Sequence, residues 1–376
     1  MRKELEDARR VVIKLGTYIL TSPDGGLASA RLDDLVAQCG WLVNEAGKKV
    51  ILVSSGAVGL GRSALELERL TSLADKQVCA AVGQSLLMNR YQRQFSRHGL
   101  TTGQLLVTAD DFADRRRYLS LRDTFERLLS LDVVPIVNEN DSVSTLELKE
   151  DERTHSFGDN DLLSALVASK LQADVLLILT NVEGVFDSNP DKNPDARLID
   201  RLDDFDALQK LNLKGQSAYG RGGVTSKIEA ARLASYSGVN TIIASGLGPS
   251  AILECVGTLV PSRVRLPERK RWIGLSSGFG GVIEVNPGAA DALTQENASL
   301  LPSGIIAVRG SFSANEVVSI ETQQGREIGR GIVGFSSEDV ARIQGCHSRE
   351  IASRLGEEGP SEVIHRDHLV IFGERD

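Results

Sequence analysis

The chain has little of what marks disulfide-stapled, membrane-spanning or nucleic-acid-coating proteins. Its four cysteines, Cys39, Cys79, Cys255 and Cys346, are widely scattered and form no CxxC pair. That argues against a disulfide framework and a cysteine metal site, and fits reduced thiols in a cytosol. The five histidines (His98, His155, His347, His365 and His368) are also spread out, with no HExxH, and read as surface or packing residues. No apolar run approaches the roughly 18 residues of a membrane span. The N-terminal stretch MRKELEDARRVVIKLG is charged and lacks the apolar core of a secretion signal, so a cytoplasmic protein is expected. Basic residues number 43 against 51 acidic ones, for a net charge of -8, which argues against a chain-wide footprint on nucleic acid. No repeat of fixed period and no low-complexity segment is present.

What is there is the composition of a soluble globular protein. At 376 residues, 41% hydrophobic and 25% charged, the chain has room for two domains of roughly 150 residues each. Residues 10–15 read as a strand ending in a Gly16-Thr17 turn. Residues 31–46 carry apolar side chains at helical spacing (Leu32, Leu35, Val36, Cys39, Leu42, Val43), and 50–53 form a second strand. A Gly-rich turn over 54–61, a helix over 72–97, a strand at 104–107 and a helix over 115–129 follow. Strands at 174–179 and 240–244 flank a helix that 220–227 opens. Such alternation predicts an α/β fold, an open, mostly parallel sheet sandwiched by helices, over residues 1–260. Residues 261–271 are basic and proline-containing (Arg263, Arg265, Arg269, Lys270, Arg271), as a linker would be. Beyond them, over 272–376, short β-like runs separated by glycine predict a small β-rich domain.

The chemistry is expected around residues 133–161. Val133, Val134, Ile136 and Val137 have the composition of a strand buried on both faces, which breaks into Asn138, Asn140 and Asp141 at the carboxyl end, where open α/β sheets bind ligands. Gly158-Asp159-Asn160-Asp161 then opens a helix. Asp159 alone reads as an N-cap and Asp161 as a first-turn acid, but the pair beside the end of that strand points to a site. Three glycine-bearing turns, at 54–61, 180–184 and 220–227, offer backbone N–H groups suited to phosphate. None is a Walker A loop, and Ser54-Ser55-Gly56 is not a hydrolase elbow. Lys14 ends an apolar strand and must place its ammonium near the strand tip. Lys227 lies in the first turn of a helix, unfavourable for a cation unless an anion shares the site. Two lysines, two aspartates and several glycine turns at one sheet edge suggest phosphoryl transfer.

The segments VVIKLGT, VSSGAVGLG, AAVGQ, VNENDSV, FGDNDLLSAL, LLILTNVEGVF and GRGGVTSKIEAA together resemble the glutamate 5-kinases (γ-glutamyl kinases) of the amino acid kinase family. The tail, with KRWIG, SLLPSGI, HSREI and VIHRDHLVIF, resembles the PUA domain, a small β-rich barrel. The resemblance implies transfer of the ATP γ-phosphate, with Mg²⁺, to the γ-carboxylate of L-glutamate, the first step of proline biosynthesis. It further implies inhibition by proline and a homo-oligomer, a dimer or tetramer. Lys14 and Lys227 would stabilise the moving phosphoryl group. Asp159 and Asp161 would orient the lysines, the substrate ammonium or Mg²⁺. Ser55, Gly56, Asn138, Asp141 and Asn160 would bind glutamate. Lys14, Thr180, Asn181 and the turn Arg221, Gly222, Gly223, Val224, Thr225, Ser226 and Lys227 would hold ATP.

Three departures from the family pattern stand out. Asn181 occupies a position where Asp is usual, and Ser226 one where Thr is usual. The charged segment 146–156 is longer than usual and is expected to be a mobile loop able to cover the glutamate site. A different class of function, an RNA-binding or regulatory protein acting through the PUA-like tail, rests on the basic segment at 263–271.

Overall fold

The structure is a computed structural model that describes residues 1–22, 26–108, 111–112, 114–143, 160–190, 193–203, 223–263, 273, 281–296, 298–356 and 360–372. The chain divides into two compact units, Met1–Arg265 and Leu266–Asp376.

In the first unit the β-branched and leucine-rich runs become Arg10–Leu15 (β1), Lys49–Ser54 (β2), Thr101–Val107 (β3), Val133–Glu139 (β4), Val175–Thr180 (β5), Asn240–Ser245 (β6) and Gly257–Val260 (β7). They form a seven-stranded sheet in the order β3-β4-β2-β1-β5-β6-β7. Every neighbouring pair is parallel except β6 and β7. β1, β2, β4 and β5 are almost wholly buried, as strands covered on both faces require, and this is why their sequences run apolar without alternation. From β1 the order leads to β2 on one side and β5 on the other, so its carboxyl end opens on the crevice typical of a topological switch point.

The connecting helices are Ser29–Asn44 (α1), Ala57–Ala64 (α2), Leu73–Ser96 (α3), Arg115–Ser130 (α4), Asn160–Lys170 (α5) and Val224–Tyr236 (α6). α3 starts at a capping box: the Ser72 hydroxyl accepts from the Asp75 N–H and the Asp75 carboxylate accepts from the Ser72 N–H, which satisfies two otherwise orphaned donors. α5 is apolar nearly all round and almost every residue in it is buried, because it packs against both β1 and α6.

One expected element differs. The glycine-rich turn over 54–61 is confined to Ser55-Gly56, with Gly56 at φ 100°, and Ala57 onward is helix α2. Of its later glycines, Gly61 serves helix packing. A Cβ on Gly61 would lie 1.8 Å from the Cys79 carbonyl oxygen, and one on Gly83 would lie 1.8 Å from that of Ala57. Only glycine permits so close a backbone approach.

The second unit contains Gly281–Val285 (β8), Ile305–Gly310 (β9), Val317–Thr322 (β10), Glu327–Ile332 (β11) and Leu369–Ile371 (β12), in the order β12-β11-β10-β8-β9. β8 and β10 are parallel and the other pairs antiparallel. Ile283, Val318, Ile320, Val340 and Val363 are fully buried in its own core. All four cysteines are free and buried. Among the described residues no helix is long and apolar enough to cross a membrane.

Candidate active site

Lys14 lies in the central strand, in register with Val53 of β2 and Ile178 of β5, and only 5% of it is exposed. An ammonium this deep requires a partner. Its Nζ lies 2.6 Å from Oδ1 of Asp161, a residue of the first turn of α5 that is fully buried. The other carboxylate oxygen, Oδ2, lies 3.0 Å from Lys227 Nζ and 3.0 Å from Ser226 Oγ. Lys227 is 6% exposed and stands near the start of α6, so two ammonium groups from distant segments converge on one carboxylate between two helix N-termini. Buried charges of this kind are tolerated only with such mutual pairing. Both helix starts also favour negative charge.

Beside them the ends of β2 and β4 carry a chain of hydrogen bonds. Asn160, at the start of α5, donates from Nδ2 to Ser55 Oγ (2.7 Å) and to Asn138 Oδ1 (3.0 Å). Asn138, at the end of β4, donates from its own Nδ2 to Gln84 Oε1 (3.0 Å). The Ser55 N–H donates to the Leu15 carbonyl, and the left-handed Gly56 turns the chain from β2 into α2. Asp141 lines an adjacent cleft of about 430 Å³ together with Gln84, Glu139, Asn140 and residues of α3. Gln84 escaped the sequence reading as a site residue. The available signal was a polar residue on the apolar stripe Ala80, Gly83, Leu87 and Tyr91 of α3, all of which are buried.

Toward β5, Thr180 ends its strand buried, its Oγ1 3.3 Å from Oδ1 of the exposed Asn181, and its carbonyl accepts from the Gly246 N–H. Gly223 caps α6, Val224 and exposed Thr225 begin it, and Ser226 turns inward to Asp161 and to the Gly223 carbonyl. The structure thus brings together Lys14, Asp161, Ser226 and Lys227 as one group, and Ser55, Asn138 and Asn160 as another. Asp159, Arg221, Gly222, the segment 146–156 and linker residues 264–271 lie outside the described residues.

Among the described residues no group of three or more His, Cys, Asp or Glu side chains could hold a metal ion, and both Asp161 oxygens face lysines. These side chains do not fit a protein-built Mg²⁺ site.

The family model described as amino acid kinase matches residues 9–245, and the PUA domain model matches residues 281–355. A protein named glutamate 5-kinase from Caldanaerobacter subterraneus subsp. tengcongensis is 42% identical over 371 residues, covering 96% of this chain and 98% of its own. Another of that name from Moorella thermoacetica is 43% identical over 380 residues, covering 99% and 98%. Among solved structures, carbamate kinase from Giardia lamblia bound to AMP-PNP is 21% identical, with a TM-score of 0.47, over 69% of this chain and 100% of that one. Matched by the family model over more than half its length and by the two glutamate 5-kinases over 96% and 99% of it, the chain belongs to the amino acid kinase family, with a PUA domain later in the sequence.

Proposed function

We propose that this protein transfers the γ-phosphate of ATP to the γ-carboxylate of L-glutamate, forming γ-glutamyl phosphate, the first step of proline biosynthesis. The observation that carries the reading, beside the near full-length likeness to glutamate 5-kinases, is the convergence of Lys14 and Lys227 on Asp161 at the sheet's switch point.

The accepting carboxylate is already ionised near neutral pH, with a usual pKa of about 4.3, so no general base is needed. Catalysis then consists of holding two anions in line and neutralising charge on the moving phosphoryl group. Lys14 and Lys227 supply that positive charge, and Asp161 fixes both ammonium groups before the substrates arrive. Ser55, Gly56, Asn138, Asp141 and Asn160 hold glutamate. Thr180, Asn181 and the start of α6 hold ATP, with Arg221 and Gly222 assigned to the same role by the family resemblance, and Asp159 assigned to orienting charge.

Proline, which shares an α-carboxylate and an amine with glutamate, is proposed to compete for the same site. Assembly into a dimer or tetramer, a linker at 261–271 and a cytoplasmic location belong to the same reading, and an RNA-binding or regulatory role of the tail is the alternative to it. The test is ATP-dependent acyl phosphate formation, trapped as the hydroxamate, with L-glutamate, aspartate, N-acetylglutamate and carbamate. Glutamate-selective turnover that is lost in Lys227→Ala supports the reading, and turnover of none of the four acids by folded protein overturns it. Proline at millimolar concentration in the same assay tests the inhibition.

A further inference from the structure

We infer that Gln84 is a positioning residue: it closes the buried end of the hydrogen-bond chain Gln84–Asn138–Asn160–Ser55, whose direction a backbone N–H sets, and so holds in place the donors and acceptors that the glutamate site presents. The inference rests on the proposed phosphorylation of glutamate and adds to it a residue that the family resemblance does not assign to the substrate.

Direction follows from one group whose polarity is beyond doubt. A backbone N–H can only donate, and that of Glu139 points at Asn138 Oδ1 at 2.9 Å, so this atom is the amide oxygen. Asn138 must then offer its nitrogen on the other side, where Gln84 Oε1 accepts it at 3.0 Å. The same Asn138 oxygen accepts from Asn160 Nδ2 at 3.0 Å. The second N–H of Asn160 is shared between Ser55 Oγ at 2.7 Å and the more distant Ser54 carbonyl at 3.3 Å, the shorter contact being to Ser55. Ser55 therefore accepts here, and its own hydrogen is left to donate to a carboxylate or phosphoryl oxygen. Asn160 has both N–H groups engaged, so what it offers a ligand is its carbonyl oxygen, an acceptor suited to an ammonium group. An α-amino acid with a reacting carboxylate carries both complements.

Gln84 anchors the far end of the chain. It is 7% exposed and sits beside Gly83, the residue that brings α3 against the Ala57 carbonyl. Without its accepting oxygen, the Asn138 N–H is a buried donor with no partner on that side, and the two asparagine amides are held at one end only, by the Glu139 N–H. Two turns further along α3, the Tyr91 hydroxyl lies 2.7 Å from Ser54 Oγ. The Ser54 hydroxyl in turn donates to the Ser55 carbonyl, so one helix steadies this site from two points.

The test is a double-mutant cycle of Gln84→Met and Ser55→Ala, read as kcat/KM for L-glutamate, with KM for ATP and thermal unfolding measured in parallel. Gln84→Met is expected to lower kcat/KM about tenfold, the size of one lost buried hydrogen bond, with KM for ATP unchanged. The double variant is expected to lose no more than the worse single variant. Fold-losses that multiply, or a Gln84→Met enzyme with wild-type kcat/KM, overturn the inference. If Gln84→Met does not fold, Gln84→Asn, one methylene shorter, breaks the same contact at smaller cost in polarity. A wild type that makes no glutamyl hydroxamate sinks the proposed reaction instead. The chain is then judged by the coupling of the same two substitutions in thermal unfolding, where additive losses overturn it.

Discussion

Asp161 meets Lys14 at 2.6 Å through one carboxylate oxygen and Lys227 at 3.0 Å through the other, joining β1 to α6 through α5. Replacing it by Asn leaves two buried ammonium groups facing a neutral amide. Breaking a buried pair in this way typically costs about 3–5 kcal/mol. Asp161→Asn is expected to lower the urea midpoint accordingly, and to reduce kcat by about 100-fold or more as the lysines lose their positions. Wild-type stability together with wild-type kcat would refute the structural and the catalytic role at once.

The contact between α2 and α3 predicts a different kind of defect. A methyl on Gly83 would fall 1.8 Å from the Ala57 carbonyl oxygen, so Gly83→Ala must push the two helices apart. Overpacking of this sort costs about 1–3 kcal/mol. Because Ala57 follows Gly56 directly, KM for L-glutamate is expected to rise while KM for ATP holds. Steady-state kinetics with each substrate varied in turn, beside a melting curve, separates that outcome from simple loss of folded enzyme.

These two predictions also mark where the sequence was readable. The β-branched runs of β1, β4 and β5 announced a buried parallel sheet, since nothing else keeps such runs dry on both faces. Lys14 was conspicuous because an ammonium at the end of an apolar strand must surface at its tip. Asp161 as the meeting point of two lysines was not legible, because 66 residues separate it from Lys227 and only the strand order brings them together. Gln84 was hidden by its helix, where a glutamine ordinarily faces water. Gly61 reads as part of a phosphate turn because a glycine in the sequence is the same whether the backbone approaches an anion or another helix.

Burial of titratable groups behind the site sets the alkaline limit of stability. The Cys39 thiol is pushed from 9.0 up to about 12 by desolvation, and burial raises the Tyr91 hydroxyl above its ordinary 10.0. Both groups are neutral when protonated, and their folded pKa values exceed the unfolded ones. Between those values the unfolded chain has released protons that the folded protein retains, so stability falls as pH rises. The loss begins near pH 9 through Cys39, with Cys79 and Cys255 shifted the same way, and gains the Tyr91 contribution from about pH 10. Urea midpoints measured from pH 7 to 12 are expected to decline from pH 9, and Cys39→Ala to make that decline shallower, the raised thiols of Cys79 and Cys255 still contributing. A flat profile for the wild type across that range would contradict the buried ionisations.

The cleft beside Asp141 predicts how the amino group of the substrate is read. Its lining includes two carboxylates, Glu139 and Asp141, with side-chain amides from Gln84, Asn89, Gln92, Gln104 and Asn140, and no lysine or arginine among the described residues. Such a lining favours an ammonium group over a second carboxylate. Asp141→Asn keeps the shape and removes one charge. It is expected to raise KM for L-glutamate about 10–100-fold, the range of a charged hydrogen bond lost, while KM for ATP stays the same. Glutarate, which has the two carboxylates of glutamate and no ammonium, supplies the control. It is expected to be a poor ligand of the wild type and no poorer for the variant, so the ratio of the two affinities collapses. Equal losses for both compounds would show that Asp141 shapes the cleft without reading the ammonium.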